Sequence, residues 1–190
     1  IDANGVVRIL KWNLNAGELS LPLDWDGLTF PVTLHNTTVD VQVGANADDG
    51  YIQAGNIYVS GDGSSDYVGD TGGNDVHAWA RFAGLSGLGS VTVDASYISY
   101  YMVASVGTVA SLIYADDQQA AAAPTTSADY LGRALTTASV AWNGTVTTSA
   151  WNNSPSLNTV VQELIDSYGN NLTVFQAMHK DNGTPNNEYW

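Results

Sequence analysis

The stretch that decides the fold runs from residue 110 to residue 166. It opens Ala110-Ser111-Leu112-Ile113-Tyr114-Ala115-Asp116-Asp117-Gln118-Gln119, then passes through Ala123-Pro124-Thr125-Thr126-Ser127-Ala128-Asp129-Tyr130. Leu135-Thr136-Thr137-Ala138-Ser139-Val140-Ala141-Trp142 and Trp151-Asn152-Asn153-Ser154-Pro155-Ser156 follow. The order is a strand over Val109 to Ala115, a small-residue loop over Ala120 to Tyr130, a Thr-rich strand over Ala134 to Trp142, and a Trp-Asn-Ser-Pro turn. One amphipathic helix closes the series. Leu157, Val160, Val161, Leu164, Ile165 and Tyr168 recur at i, i+3, i+4, i+7, i+8 and i+11, a single apolar stripe. The helix is predicted over about 155–168, with Ser154 as its N-cap, Pro155 in its first turn and Gly169 as the left-handed residue that ends it. A stripe of this kind faces a core, so the helix reads as a lid on one end of a sandwich.

Outward from there, more strands are predicted. Thr38 to Val43 alternates Val39, Val41 and Val43 on one face. Asp48-Asp49-Gly50 turns into Tyr51 to Ala54, and 61–75 reads as a long Gly/Asp/Ser loop. His77 to Phe82 reads as a strand, Val91 to Val103 as a long central strand, and Leu172 to Met178 as a late one. The chain is therefore all-β: a jelly-roll-like antiparallel β-sandwich over 37–190 with one helix, preceded by an N-terminal β-arm over 1–36. Within the arm, Val6 to Trp12, Leu19 to Leu23 and Leu28 to Leu34 read as strands, the last two joined by Asp24-Trp25-Asp26-Gly27.

Composition excludes several partners. Five Lys and Arg face nineteen Asp and Glu, for a net charge of −14. Nucleic-acid binding needs cations to neutralise phosphates, and an anionic membrane surface asks for the same, so neither is expected. No apolar run is long enough to span a bilayer as a helix. The chain has no cysteine, hence no disulfide framework and no thiolate metal site.

The chemistry of catalysis is sparse. His35, His77 and His179 are far apart and no Gly-x-Ser-x-Gly surrounds a serine. There are three glutamates, Glu18, Glu163 and Glu188, and Glu163 falls on the polar side of the helix, an ordinary solvated position. The adjacent pairs Asp48-Asp49 and Asp116-Asp117 would point to opposite faces of a strand and so cannot flank one glycosidic bond. No enzyme is expected. Calcium is the metal that suits this chain, through Asp48, Asp49, Asp116 and Asp117 if their strands are neighbours; the alternative is plain turn chemistry, which favours Asp and Gly without any ion.

Exposed aromatics beside Asn and Asp would suit glycan stacking. Trp25, Trp151, Tyr51 and Tyr67 are the candidates, whereas Trp79 and Trp142 lie in predicted strands and read as core.

From Asp48 to about Phe175 the chain resembles the DNRLRE-type module. The matching elements are Asp48-Asp49-Gly50-Tyr51-Ile52-Gln53, Ala80-Arg81-Phe82 with Gly84-Leu85, and Val91 to Tyr101. The Ala-Pro-Thr-Thr, Thr-Thr-Ala-Ser-Val-Ala-Trp and Asn-Ser-Pro runs match too, as does Val160-Val161-Gln162-Glu163. The resemblance implies a secreted β-sandwich of the kind found in carbohydrate-active enzymes and in phage-like structural proteins. It also implies a closing strand beyond Tyr189, where this sequence stops at Trp190. An open edge would be filled by Val6 to Trp12 of the same chain or by a strand lent by a neighbour; a differently closed sandwich is the alternative. Val6, Ile9, Leu10, Trp12, Tyr189 and Trp190 are the subunit-pairing candidates. The expected role is a structural module on a virion, cell surface or extracellular filament. Its partners would be copies of itself or a capsid, tail or fibre protein; the alternative is a carbohydrate-binding module.

Overall fold

The computed structural model describes residues 13–15, 18–20, 38–59, 67–70, 74–89, 91–105, 109–182 and 187–189. The chain divides into two compact units, Ile1–Thr38 and Val39–Trp190. In the first, β1 (Asn13–Asn15) and β2 (Glu18–Ser20) form an antiparallel hairpin, Asn13 opposite Ser20. The expected strands Val6 to Trp12 and Leu28 to Leu34, and the Trp25 turn, lie outside the described residues.

The second unit is mainly β. Its strands are β3 (Asp49–Gln53), β4 (Asn56–Val59), β5 (Tyr67–Asp70), β6 (Asp75–Ala83), β7 (Ser99–Met102), β8 (Ala104–Ser105), β9 (Val109–Ala115), β10 (Val140–Gly144), β11 (Ala150–Asn153), β12 (Val174–Asp181) and β13 (Asn187–Tyr189). Two helices interrupt them, α1 (Ser127–Gly132) and α2 (Asn158–Tyr168). One antiparallel sheet runs β10-β9-β12-β6-β5-β13-β8, with β3 pairing the other side of β6 and β4 pairing β3. β7 and β11 form a separate two-stranded ribbon.

The central strands are apolar on both faces because both faces are covered. On one side Phe175 and Ala177 of β12, Ala80 of β6 and Ile113 and Ala115 of β9 pack beneath the ribbon's Tyr100 and Met102 and beneath Leu157, Val160, Leu164 and Ile165 of the helix region. The helix stripe thus faces the core as its spacing predicts. On the other side Trp79 and Met178 pack with Ile52 and with Tyr130 of α1. Trp79 and Trp142 are buried, as expected of strand tryptophans.

Several expected elements differ, and side-chain hydrogen bonding from α2 explains two of them. Only Ser99–Met102 of the long Val91 to Val103 segment forms a β7-type ladder. The preceding residues form no ladder, and their backbone groups bond to the helix region. The Val93 amide donates to Gln162 Oε1 (2.8 Å), Gln162 Nε2 donates to the Val91 carbonyl (3.1 Å), and Asn158 Nδ2 donates to the Asp94 carbonyl (2.9 Å). Residues 134–139 likewise stay out of β10. The amides of Thr137 and Ala138 both donate to the Glu163 carboxylate, at 2.7 and 2.8 Å. Glu163 is therefore a structural acceptor rather than a solvated surface charge.

Smaller corrections concern turns and caps. Thr38 to Val43 is not a strand and Val39 is exposed, because alternation of valines supplies side chains but no ladder partner. Tyr67–Asp70 is a strand inside the expected loop, held by β13 and β6. Ser154 does not cap α2: its hydroxyl accepts from the Ile98 amide and donates to the Pro155 carbonyl, and Leu157 takes the N-cap position. Gly169 does end the helix, at φ 54°. The short α1 was legible in a box the Pro-Thr loop obscured, Thr126-Ser127-Ala128-Asp129: Thr126 Oγ1 accepts from the Asp129 amide and Asp129 accepts from the Thr125 amide.

Candidate functional site

Alternation along β6 and β12 sends His77, Trp79 and Arg81, with Gln176, Met178 and Lys180, to the face that α1 covers. This face carries Arg81, Arg133 and Lys180. Its centre is Tyr130, fully buried, whose hydroxyl donates toward the carbonyls of Ala78 (3.0 Å) and His179 (2.8 Å) and so ties α1 to both central strands. Burial pushes the Tyr130 phenol well above its usual range.

His77 stacks near Tyr130, with ring centroids 6.2 Å apart, and its Nδ1 accepts from the Asp181 amide (3.0 Å). Burial, and then the neighbouring Lys180 charge, lowers its pKa. Lys180 Nζ lies 4.1 Å from the centre of the Tyr130 ring, a cation–π contact, and burial pulls its pKa down to about 8. Beside His77 an open cleft of about 280 Å³ is lined by Ile52, Gln53, Gly55, Asn74, Asp75 and Leu131, among others.

Two arginines and their ion pairs frame this face. Arg81 donates to Asp48 (2.6 Å) and to the Ala121 carbonyl (2.8 Å). Arg133 donates to the fully shielded Asp116 (2.6 Å) and, through Nε and Nη2, to both oxygens of Asp129. The Arg133 hydrogen bonds hold the Asp129 carboxyl below the usual carboxylate range. Gln176, in the amide orientation that gives both its atoms a partner, donates to the Ala122 carbonyl and accepts from Arg133.

The four aspartates considered for calcium are thus held separately. Asp48 pairs with Arg81 and Asp116 with Arg133, while Asp117 accepts from the Tyr168 hydroxyl (3.0 Å). Burial, and then repulsion from Asp48, raises the Asp49 pKa to about 6. Among the described residues no group of three or more His, Asp or Glu side chains gathers as a metal would need.

On the opposite face of the sheet lies the other described histidine. His179 is fully buried, with Nε2 2.8 Å from the Tyr100 hydroxyl and Nδ1 3.1 Å from Ser111 Oγ. Burial lowers its pKa to about 3, so it is a neutral structural histidine. His35 lies outside the described residues.

The glycan candidates separate as well. Trp151 is 70 % exposed on β11, opposite Tyr101 of β7, with ring centroids 5.7 Å apart and planes at 73°. Tyr101 was not singled out by sequence; alternation with buried Tyr100 and Met102 is the signal that reveals it. Tyr51 stacks on Tyr58 at 4.8 Å on the β3–β4 hairpin. Tyr67 contributes its backbone to the ladder with Tyr189. Trp25, Val6, Ile9, Leu10, Trp12 and Trp190 lie outside the described residues. Tyr189 is not at an open edge: β13 is paired by β5 on one side and β8 on the other.

No family model matches this chain, and no curated protein matches it. No helix among the described residues is long and apolar enough to cross a membrane.

Proposed function

We propose that this chain is a non-enzymatic structural or surface module of an extracellular or virion assembly. It would serve as a phage head or tail decoration, a fibre subunit, or a subunit of an extracellular filament. In this reading residues 37–190 are a jelly-roll-like β-sandwich of the DNRLRE-type kind, and residues 1–36 are a β-arm that pairs with a neighbouring copy. The observation that carries the reading is where the described cations lie. Arg81 and Arg133 hold aspartates, and Lys180 lies against the Tyr130 ring. His179, neutral and enclosed, links the ribbon to the sheet. These groups position backbone and loops, which is the work of a module that is displayed.

A route for pairing is also present. β10 (Val140–Gly144) ends the strand order, and no further strand pairs its outer side among the described residues. Its sequence, Val-Ala-Trp-Asn-Gly, carries none of the charges that usually protect an edge. With a net charge of −14, copies repel one another at long range, so directional strand pairing would govern their association. In this reading the arm residues Val6, Ile9, Leu10 and Trp12, which lie outside the described residues, would pair with such an edge.

Sedimentation velocity and negative-stain electron microscopy of the concentrated chain test this. Fibres, rings or a discrete oligomer support it; a monomer at every concentration counts against it. A carbohydrate-binding module is the second reading, favoured by the exposure of Trp151.

A further inference from the structure

We infer that the outward face of the β7–β11 ribbon is a docking face for a neutral polysaccharide chain. This rests on the carbohydrate-binding reading and gives it a site. Burial alternates without a break from residue 97 to residue 103: Tyr97, Ser99, Tyr101 and Val103 are exposed, while Ile98, Tyr100 and Met102 are buried. The ladder sets Trp151 opposite Tyr101 and Asn153 opposite Ser99. Six side chains therefore share one face, three of them aromatic, at 59 % (Tyr97), 43 % (Tyr101) and 70 % (Trp151) exposure. Concentrated exposure of this kind marks an interaction surface rather than scatter.

The chemistry of the face selects the ligand. Tyr101 meets Trp151 at 73°, a contact that braces the indole and covers at most one of its two faces. The free face suits the C–H side of a pyranose ring. Along the same ribbon the Ser99 hydroxyl donates to Asn153 Oδ1 (2.6 Å), which orients the Asn153 amide and leaves its N–H group for a sugar hydroxyl. None of the six side chains is charged, although the chain as a whole carries −14. An anionic ligand would meet that net field with no local cation, and a cationic one would find no carboxylate on this face. A neutral, hydroxylated chain meets neither obstacle.

Size excludes the other natural occupant, a second copy. Four-residue strands span about 13 Å and two strands lie about 5 Å apart, whereas a stable protein interface needs roughly 800 Å² from each partner. A single extended polysaccharide chain matches the narrow ribbon.

The test is affinity electrophoresis of the full chain in native gels containing hydroxyethyl cellulose, galactomannan, arabinoxylan or dextran, with alginate as the anionic control. Retardation in at least one neutral gel and none in alginate is expected. Trp151→Ala, at an exposed site that leaves the melting temperature unchanged, weakens binding by at least about tenfold, the effect of losing roughly 60 Å² of stacked ring. Tyr58→Ala, in the Tyr51–Tyr58 stack, leaves it unchanged. Retardation that survives Trp151→Ala and disappears with Tyr58→Ala overturns this face and leaves the carbohydrate-binding reading intact. No retardation in any neutral gel overturns both. A sedimentation coefficient that falls on Trp151→Ala, with no change in the gels, makes the face a contact between copies and also overturns the proposal.

Discussion

Gly50 stands directly opposite Trp79 in the β3–β6 ladder, and the indole fills the space that its missing side chain leaves. A Cβ built on Gly50 would lie 2.5 Å from both Cζ2 and Cη2 of Trp79 and would also collide with the Tyr58 carbonyl. Trp79 is fully buried between β3 and α1, so it cannot swing away. Gly50→Ala is expected to destabilise the fold by about 1–3 kcal/mol, the usual cost of overpacking. Urea unfolding measures it; an unchanged midpoint would mean that the hairpin gives way without loss.

The Arg133 guanidinium holds Asp116, Asp129 and the 120s loop at once. Removing it leaves the fully shielded Asp116 carboxyl without its guanidinium partner. Arg133→Met is expected to cost about 3–5 kcal/mol, and the double variant with Asp116→Leu to recover most of that. Equal losses in the single and double variants would show that the pair is not the source of the effect.

Acid stability should follow His179. Its folded pKa of about 3 lies below the ordinary 6.5, so the unfolded chain takes up a proton that the folded chain refuses. The stabilisation is complete above pH 6.5 and is lost as pH falls, by about 1.4 kcal/mol per unit down to about pH 3. Asp49 acts in the opposite sense: its folded pKa of about 6 exceeds 3.8, so its contribution improves as pH falls from 6 towards 4. It is half-buried, and solvent screening keeps its share under about 1 kcal/mol. Thermal melts from pH 7.5 to 4 should therefore show falling stability. Asp49→Asn should be the more stable protein at pH 7.5 and lose stability more steeply in acid. A melting temperature flat across that range would contradict the burial of a neutral His179.

Glu163 binds two backbone amides with one carboxylate. Glu163→Ala should cost about 1.5–3 kcal/mol, the range for hydrogen bonds to a charged group. Hydrogen exchange at Thr137 and Ala138 should accelerate while the β9 amides stay protected. Exchange unchanged at these two positions would remove Glu163 from the role of clamp.

The features that could be read from sequence are those that depend on a residue's own neighbours in the chain. The stripe of α2, the ending at Gly169, the strand Val109–Ala115 and the burial of Trp79 and Trp142 are of this kind. The misread segments depend on partners far away. Val91 to Ile98 has the composition of a strand, yet Gln162 and Asn158 take its hydrogen bonds, and nothing in the β-branched run announces that. Tyr67–Asp70 looks like loop and is recruited by β13. The candidate sites divide in the same way. The exposure of Trp151 was anticipated, but Tyr101 beside it and the His77–Tyr130–Lys180 row emerge only from strand register.

The most direct test of a placed and paired module exploits the absence of cysteine. Single variants Ile9→Cys and Asn143→Cys, the second on the outer strand β10, are mixed and oxidised. A cross-linked dimer on a non-reducing gel of the mixture at low micromolar concentration, much weaker when either variant is oxidised alone, is the predicted result. A monomer band with no cross-linked species, under conditions where the thiols are shown to be reactive, would contradict strand pairing between subunits.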